Sequence, residues 1–67
     1  MKDPKFNDVE VRLTGRDGNA FSIIGAVSRA LKKAGYKEGA EEYKKAAFSS
    51  SSYNDLLVLT METVVVT

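Results

Sequence analysis

Gly15-Arg16-Asp17-Gly18-Asn19-Ala20-Phe21-Ser22-Ile23-Ile24-Gly25 is the stretch on which the fold of this chain turns. Before it, Asp8-Val9-Glu10-Val11-Arg12-Leu13-Thr14 alternates polar and apolar side chains. Val9, Val11 and Leu13 share one face, and Asp8, Glu10, Arg12 and Thr14 the other. A period of two over β-branched residues marks a half-buried strand. After it, Ile24, Val27, Leu31 and Ala34 fall at helical spacing, and Ala20, Phe21 and Ile23 widen the stripe at its start. Asn19 or Asp17 can cap this helix, and Lys32 and Lys33 suit the negative end of its dipole. Gly35 suits the left-handed residue that ends it, with Tyr36 folding back onto Leu31. A hairpin with Phe21 to Ile24 as the returning strand is the rival reading. It would leave only about two turns of helix after Gly25, so a strand-to-helix turn is favoured.

Working outward, a second helix is expected from Glu38 or Gly39 to Phe48, with Ala40, Tyr43, Ala47 and Phe48 on one face. Glu41 stands four residues before Lys45 and supports it. Ser49 to Ser52 form a polar connection, and Ser52 with Asp55 resembles a capping box. A third helix, about Tyr53 to Glu62, would be lined by Leu56, Leu57, Leu59 and Met61, with a strand from Thr63 to Thr67. One long strand over Leu56 to Thr67 is the alternative, since Val64-Val65-Val66 is strongly β-prone. Pro4 and Asn7 break residues 1–7, which read as a disordered lead-in to a single domain over 8–67. The expected fold is α+β, β-α-α-α-β, with the helices packed on a two-stranded antiparallel sheet. Gly25 inside a helix costs about 1 kcal/mol relative to alanine, which points to a tight helix crossing.

Sixty-seven residues suffice for one domain, which at this size buries only about 60% of its unfolded surface. The chain has no Cys and no His, hence no disulfide and neither of the usual zinc ligands. With 43% hydrophobic residues, homo-oligomerisation is the expected staple. A net charge of +1, from ten basic and nine acidic residues, is too balanced to drive nucleic-acid or anionic-membrane binding. Arg29, Lys32, Lys33, Lys37, Lys44 and Lys45 make a modest basic patch that Glu38, Glu41 and Glu42 dilute, so nucleic acid is not an expected partner. Charges and a proline occupy the N-terminus where a signal peptide needs an apolar run, and no stretch approaches the ~20 apolar residues of a membrane span. A cytoplasmic protein is expected.

Without His or Cys, catalysis would need paired carboxylates, a lysine or a serine–lysine arrangement. The acidic residues are scattered among bases and suit solvated surface, so no enzyme, cofactor or metal site is expected. The turn is more promising. A strand passing through glycines into a helix presents amide hydrogens and a positive dipole end, which suit an anion. Gly18 would admit a ligand, Asn19 and Ser22 could hydrogen-bond it, and Arg16 and Asp17 complete the polar set. The pattern is neither a Walker loop nor a dinucleotide fingerprint. The plainer reading is that Gly15 and Gly18 serve the turn while Asp17 or Asn19 caps the helix. Ser51 and Tyr53, at another helix start, could contact a base or a sugar, or simply form a solvated cap.

The run Leu13-Thr14-Gly15-Arg16-Asp17-Gly18-Asn19-Ala20-Phe21, with the later Tyr53-Asn54-Asp55-Leu56-Leu57, resembles a family of small uncharacterised proteins of bacteria and their phages. They share a Leu-x-Gly-x-Asp-Gly-Asn-Ala-Phe opening and a Tyr-x-x-Leu-Leu. The likeness covers most of residues 9 to 67, and the tail Glu62-Thr63-Val64-Val65-Val66 departs from it in being more β-rich. It implies the strand-turn-helix and a bacterial or phage setting; no activity is assigned to the family. The expected function is a non-enzymatic small-ligand binding module, of the kind by which a phage sequesters an anionic, nucleotide-like signal. The alternative is a protein-binding inhibitor or adaptor, engaging a host protein through a sheet edge or the exposed strand face.

Overall fold

The computed structural model describes residues 4–13 and 20–67. Its elements run β1 (Phe6–Val11), α1 (Ala20–Lys33), α2 (Lys37–Phe48), α3 (Tyr53–Thr63) and β2 (Val64–Val66). The order is the expected β-α-α-α-β; the helix at 20–33 excludes a returning strand there, and the helix at 53–63 excludes one long strand over 56–67. The turn at 14–19 lies outside the described residues.

The sheet corrects the expectation. β1 and β2 pair in parallel, not antiparallel. The reason lies at the foot of the sheet, where the Lys5 amide donates to the Glu62 carbonyl in the last turn of α3 (2.9 Å). β2 leaves that turn with no loop between Thr63 and Val64. Both strands therefore start at the same end, and the three helices form the long crossover that a parallel pair requires. Glu10 pairs with Val65 and Val11 with Val66. The Thr67 amide to the Val11 carbonyl and the Leu13 amide to the Thr67 carbonyl, both 3.0 Å, carry the ladder past the assigned strand ends. Between Phe6 and Glu10 the register breaks, because Phe6 already stands opposite Val64. The strand thus divides into a ladder from Glu10 onward and an anchor at Phe6.

That anchor sits two residues before the alternating stretch. The Phe6 ring lies 4.7 Å from the Tyr36 ring, centroid to centroid. A Cβ built on Gly39 would meet the Phe6 ring at 2.5 Å. Gly39, in the first turns of α2, is therefore the notch that receives Phe6. The Tyr36 hydroxyl donates to Asp8 across 2.5 Å and ties the same corner a second time.

α1 ends as its sequence implies. Gly35 takes φ +94°, its amide bonds the Lys32 carbonyl (3.0 Å), and the Tyr36 amide bonds the Leu31 carbonyl (2.8 Å). This is the paired closure of a Schellman end. The core gathers Val9 and Val11 of β1, Ile23, Ile24, Val27 and Leu31 of α1, Ala40, Tyr43 and Ala47 of α2, and Leu56 and Val64. Ala34, expected on the buried stripe, is exposed. Gly25 does not mark a tight crossing: the nearest atom to a Cβ there is the Arg29 guanidinium at 4.0 Å.

α3 carries an inverted pattern. Its buried residues are Leu56, Thr60 and Thr63, whereas Val58 and Met61 are exposed. Burial of the threonines is tolerable because each hydroxyl bonds back into its own helix, Thr60 to the Leu56 carbonyl (2.8 Å) and Thr63 to the Leu59 carbonyl (2.7 Å). Since Thr60 spends its proton there, the Tyr43 hydroxyl is the donor in the 2.8 Å bond between them. This buried link fastens α3 to α2.

Two expectations follow. Gly39→Ala gains helix propensity but pushes its methyl into the Phe6 ring, so it should destabilise the native chain yet stabilise a Phe6→Ala background by up to about 1 kcal/mol. A double-mutant cycle by denaturant unfolding measures that change of sign. Both Tyr36 and Tyr43 are pushed above the ordinary phenol value of 10.0, Tyr36 mainly by donating to Asp8 and Tyr43 mainly by burial. The folded chain then holds phenolic protons that the unfolded chain releases. Stability should be complete below about pH 10 and fall as pH rises past it. Thermal melts across that range should show a shallower loss for Tyr43→Phe.

Candidate functional site

One groove brings together Ser51 and Tyr53 of the sequence-derived site with the start of α1. The start of α1 contributes Ala20, Phe21 and Ile24, the end of α2 contributes Ala47 and Phe48, and the Ser50–Ser52 connection leads into Tyr53 and Leu56 of α3. The cavity measures about 230 Å³. Its walls are aromatic: Phe21 is 71% exposed, Phe48 61% and Tyr53 44%. The Phe21 and Phe48 rings lie 6.0 Å apart, tilted by 46°, within the range of a favourable aromatic pair.

The rim is polar and organised by the start of α3. Ser52 is the N-cap, and its hydroxyl accepts the Asp55 amide at 3.1 Å. The reciprocal half of a capping box is replaced: the Asp55 carboxylate accepts the Ser51 hydroxyl (2.6 Å). The Ser52 carbonyl takes the Leu56 amide (3.1 Å). The Tyr53 and Asn54 amides come next to the cap, where a helix supplies no acceptor of its own. Asp55 brings a negative charge into this first turn, so an anion here would sit toward the α1 side of the groove.

Of the expected site residues, Ser51 and Tyr53 line the groove. Ser22 is half-buried in the first turn of α1 and is not part of the lining. Arg16, Asp17, Gly18 and Asn19 lie outside the described residues. Helical spacing puts Phe21 and Phe48 on the apolar faces of their helices, yet both are largely exposed. No sequence signal marked Phe21 as exposed, since Ile24 and Ser28, three and seven residues further along the helix, are both buried. Phe48 had none either, since it is the last residue of α2 and its neighbour Ala47 is buried.

A larger hollow of about 560 Å³ lies between Phe6, Tyr36, Lys37, Glu38, Gly39 and Glu42. Its apolar floor is the clamp that holds β1 to α2, and its rim carries both signs of charge, so size alone does not make it a site. Among the described residues, acidic side chains stand against three of the lysines. Glu41 lies 3.7 Å from Lys32 and 3.4 Å from Lys44, and Glu42 lies 3.3 Å from Lys5. Among the described residues, no helix is long and apolar enough to cross a membrane, and no group of three His, Cys, Asp or Glu side chains could hold a metal.

No family model matches the chain, and no curated protein or solved structure matches it either.

The cap and the rings carry separable tasks. Ser52→Ala should lower stability by about 1 kcal/mol. Phe48→Ala should change stability by less than about 1 kcal/mol, because the ring is mostly in water. Chemical denaturation of the two variants side by side tests whether the groove walls are spared for something other than folding.

Proposed function

We propose that this protein is a non-catalytic binding module whose groove between α1 and α3 takes a small anionic ligand with a planar ring, nucleotide-like in chemistry. The observation that carries this reading is the set of three aromatic side chains, Phe21, Phe48 and Tyr53, held in water around one groove. A base stacked on such rings gains about 1–3 kcal/mol. The Ser52 hydroxyl, which accepts the Asp55 amide and keeps its own proton, and the leading amides of α1 and α3 supply donors for the polar part of the ligand. In a bacterial or phage cytoplasm, a module without a catalytic set would act by sequestering its ligand, removing a signal rather than converting it.

A second reading has its own support. Among the described residues the sheet ends at two strands, β1 and β2, so each is an edge. Asp8 and Glu10 on β1 and Arg12 just beyond it are exposed. A protein partner could add a strand there or dock on these side chains, making the chain an inhibitor or adaptor.

Native mass spectrometry of the chain purified gently from a nucleotide-rich lysate separates the two. A discrete added mass on the native chain that is lost in Phe48→Ala and in Asn19→Ala, both folded, is the expected result. An added mass that survives both substitutions would remove the groove from consideration. A bare chain that captures one stoichiometric protein would favour the adaptor.

A further inference from the structure

We infer that the outer face of α3 is a self-association surface, on which a second copy of this chain docks about a two-fold axis. Tyr53, Leu57 and Met61 succeed one another turn by turn along α3, with Val58 beside Met61. Tyr53 and Met61 are 44% and 54% exposed, Val58 is 44% exposed and Leu57 is half-buried. Only Asn54 interrupts this arc with a polar group, and it carries no charge. The helix is therefore apolar on the outside as well as lined by Leu56 within. A helix apolar on both sides belongs between two partners.

The area identifies the occupant. At the Tyr53 end the stripe runs on into Phe21 and Phe48 through the groove they share. The exposed fractions of Phe21, Phe48, Tyr53, Val58 and Met61 amount to roughly 500 Å² per copy, taking about 200 Å² for a fully exposed aromatic residue and less for the others. A standard interface takes about 800 Å² from each partner, and in homodimers about 65% of it is apolar, or about 520 Å². A straight stripe without charge is self-complementary, because a two-fold axis lays it on itself with no ion to desolvate. The charges on α3 are Asp55 and Glu62, both acidic, which border the stripe three residues before and four after Val58. That pair argues against an anionic membrane, for which interfacial helices carry lysine and arginine.

An antiparallel pairing centred near Leu57 sets Tyr53 opposite the partner's Met61. The second copy then becomes a wall of the aromatic groove. That matters because about 230 Å³ on one copy falls below the ~300–1,000 Å³ of a site that encloses a small molecule. This last consequence rests on the ligand reading above; the association itself does not.

Sedimentation equilibrium over a wide concentration range tests the association. The native chain should dimerise, and Val58→Asp and Met61→Glu should each weaken the dimer about tenfold or more, with unchanged circular dichroism. Since the chain contains no cysteine, Val58→Cys offers an independent check: mild oxidation should yield a disulfide-linked dimer. A monomeric native chain with no cross-link would overturn the proposal and leave the stripe to a different protein. A dimer indifferent to both acidic substitutions would also overturn it, placing the interface elsewhere. Native mass spectrometry of the same samples keeps the two readings apart. A monomer with an added mass sinks only the association, and a bare dimer that loses its mate in Val58→Asp sinks only the ligand.

Discussion

The molecule depends on how the end of α3 meets the beginning of β1. Lys5 and Glu62 join backbone to backbone there, and Val64 leaves the helix directly in extended conformation, its amide still bonded to the Thr60 carbonyl. With no loop to turn in, β2 can only start beside the start of β1 and run alongside it. A two-stranded parallel sheet is a weak structure by itself, since such pairs are normally covered by helices and flanked by further strands. Here the three helices do the covering. Val64 at the junction is fully buried, as are Val27 and Leu31 of α1.

Two further ties hold the helices in the order this junction needs. Phe6 seated over Gly39, with Tyr36 bonded to Asp8, fixes the mouth of β1 to α2. The buried Tyr43 to Thr60 bond fixes α2 to α3. Between them they place the start of α3 near the end of α2 and the start of α1, which is where the aromatic groove opens. The groove is thus a by-product of the packing that makes the sheet parallel. Its rings stand at the margin of that packing, largely exposed.

Charge is distributed to match. The ion pairs of Lys5, Lys32 and Lys44 with Glu41 and Glu42 lie around α2 and are solvent-exposed, so each contributes little to stability. Their larger effect is on the character of the faces. The side around α2 is salt-laced and well hydrated, while α3 turns an uncharged, apolar side outward. A chain of 67 residues with no Cys and no His has few ways to enlarge its core. Covering that side with another copy of itself is one that costs no further sequence.

What local chemistry could determine, the sequence determined. The alternation at Val9 and Val11, the helical spacing of Ile24, Val27 and Leu31, the left-handed Gly35 with its returning Tyr36, and the Ser52 cap are all interactions between residues a few positions apart. Each is present as its spacing implies. The helix start at Ser52 and Tyr53 was legible for the same reason. The direction of β2 was not, because it depends on which end of the sheet the helices return to, a relation between Lys5 and Glu62 across most of the chain. Phe6 was missed because its partners, Tyr36 and Gly39, are remote in sequence. The exposure of Phe21 and Phe48 was not legible because helical spacing records only which face of its own helix a residue occupies. Whether another element covers that face is decided by tertiary packing, and at the start of α1 and the end of α2 the packing stops short of them.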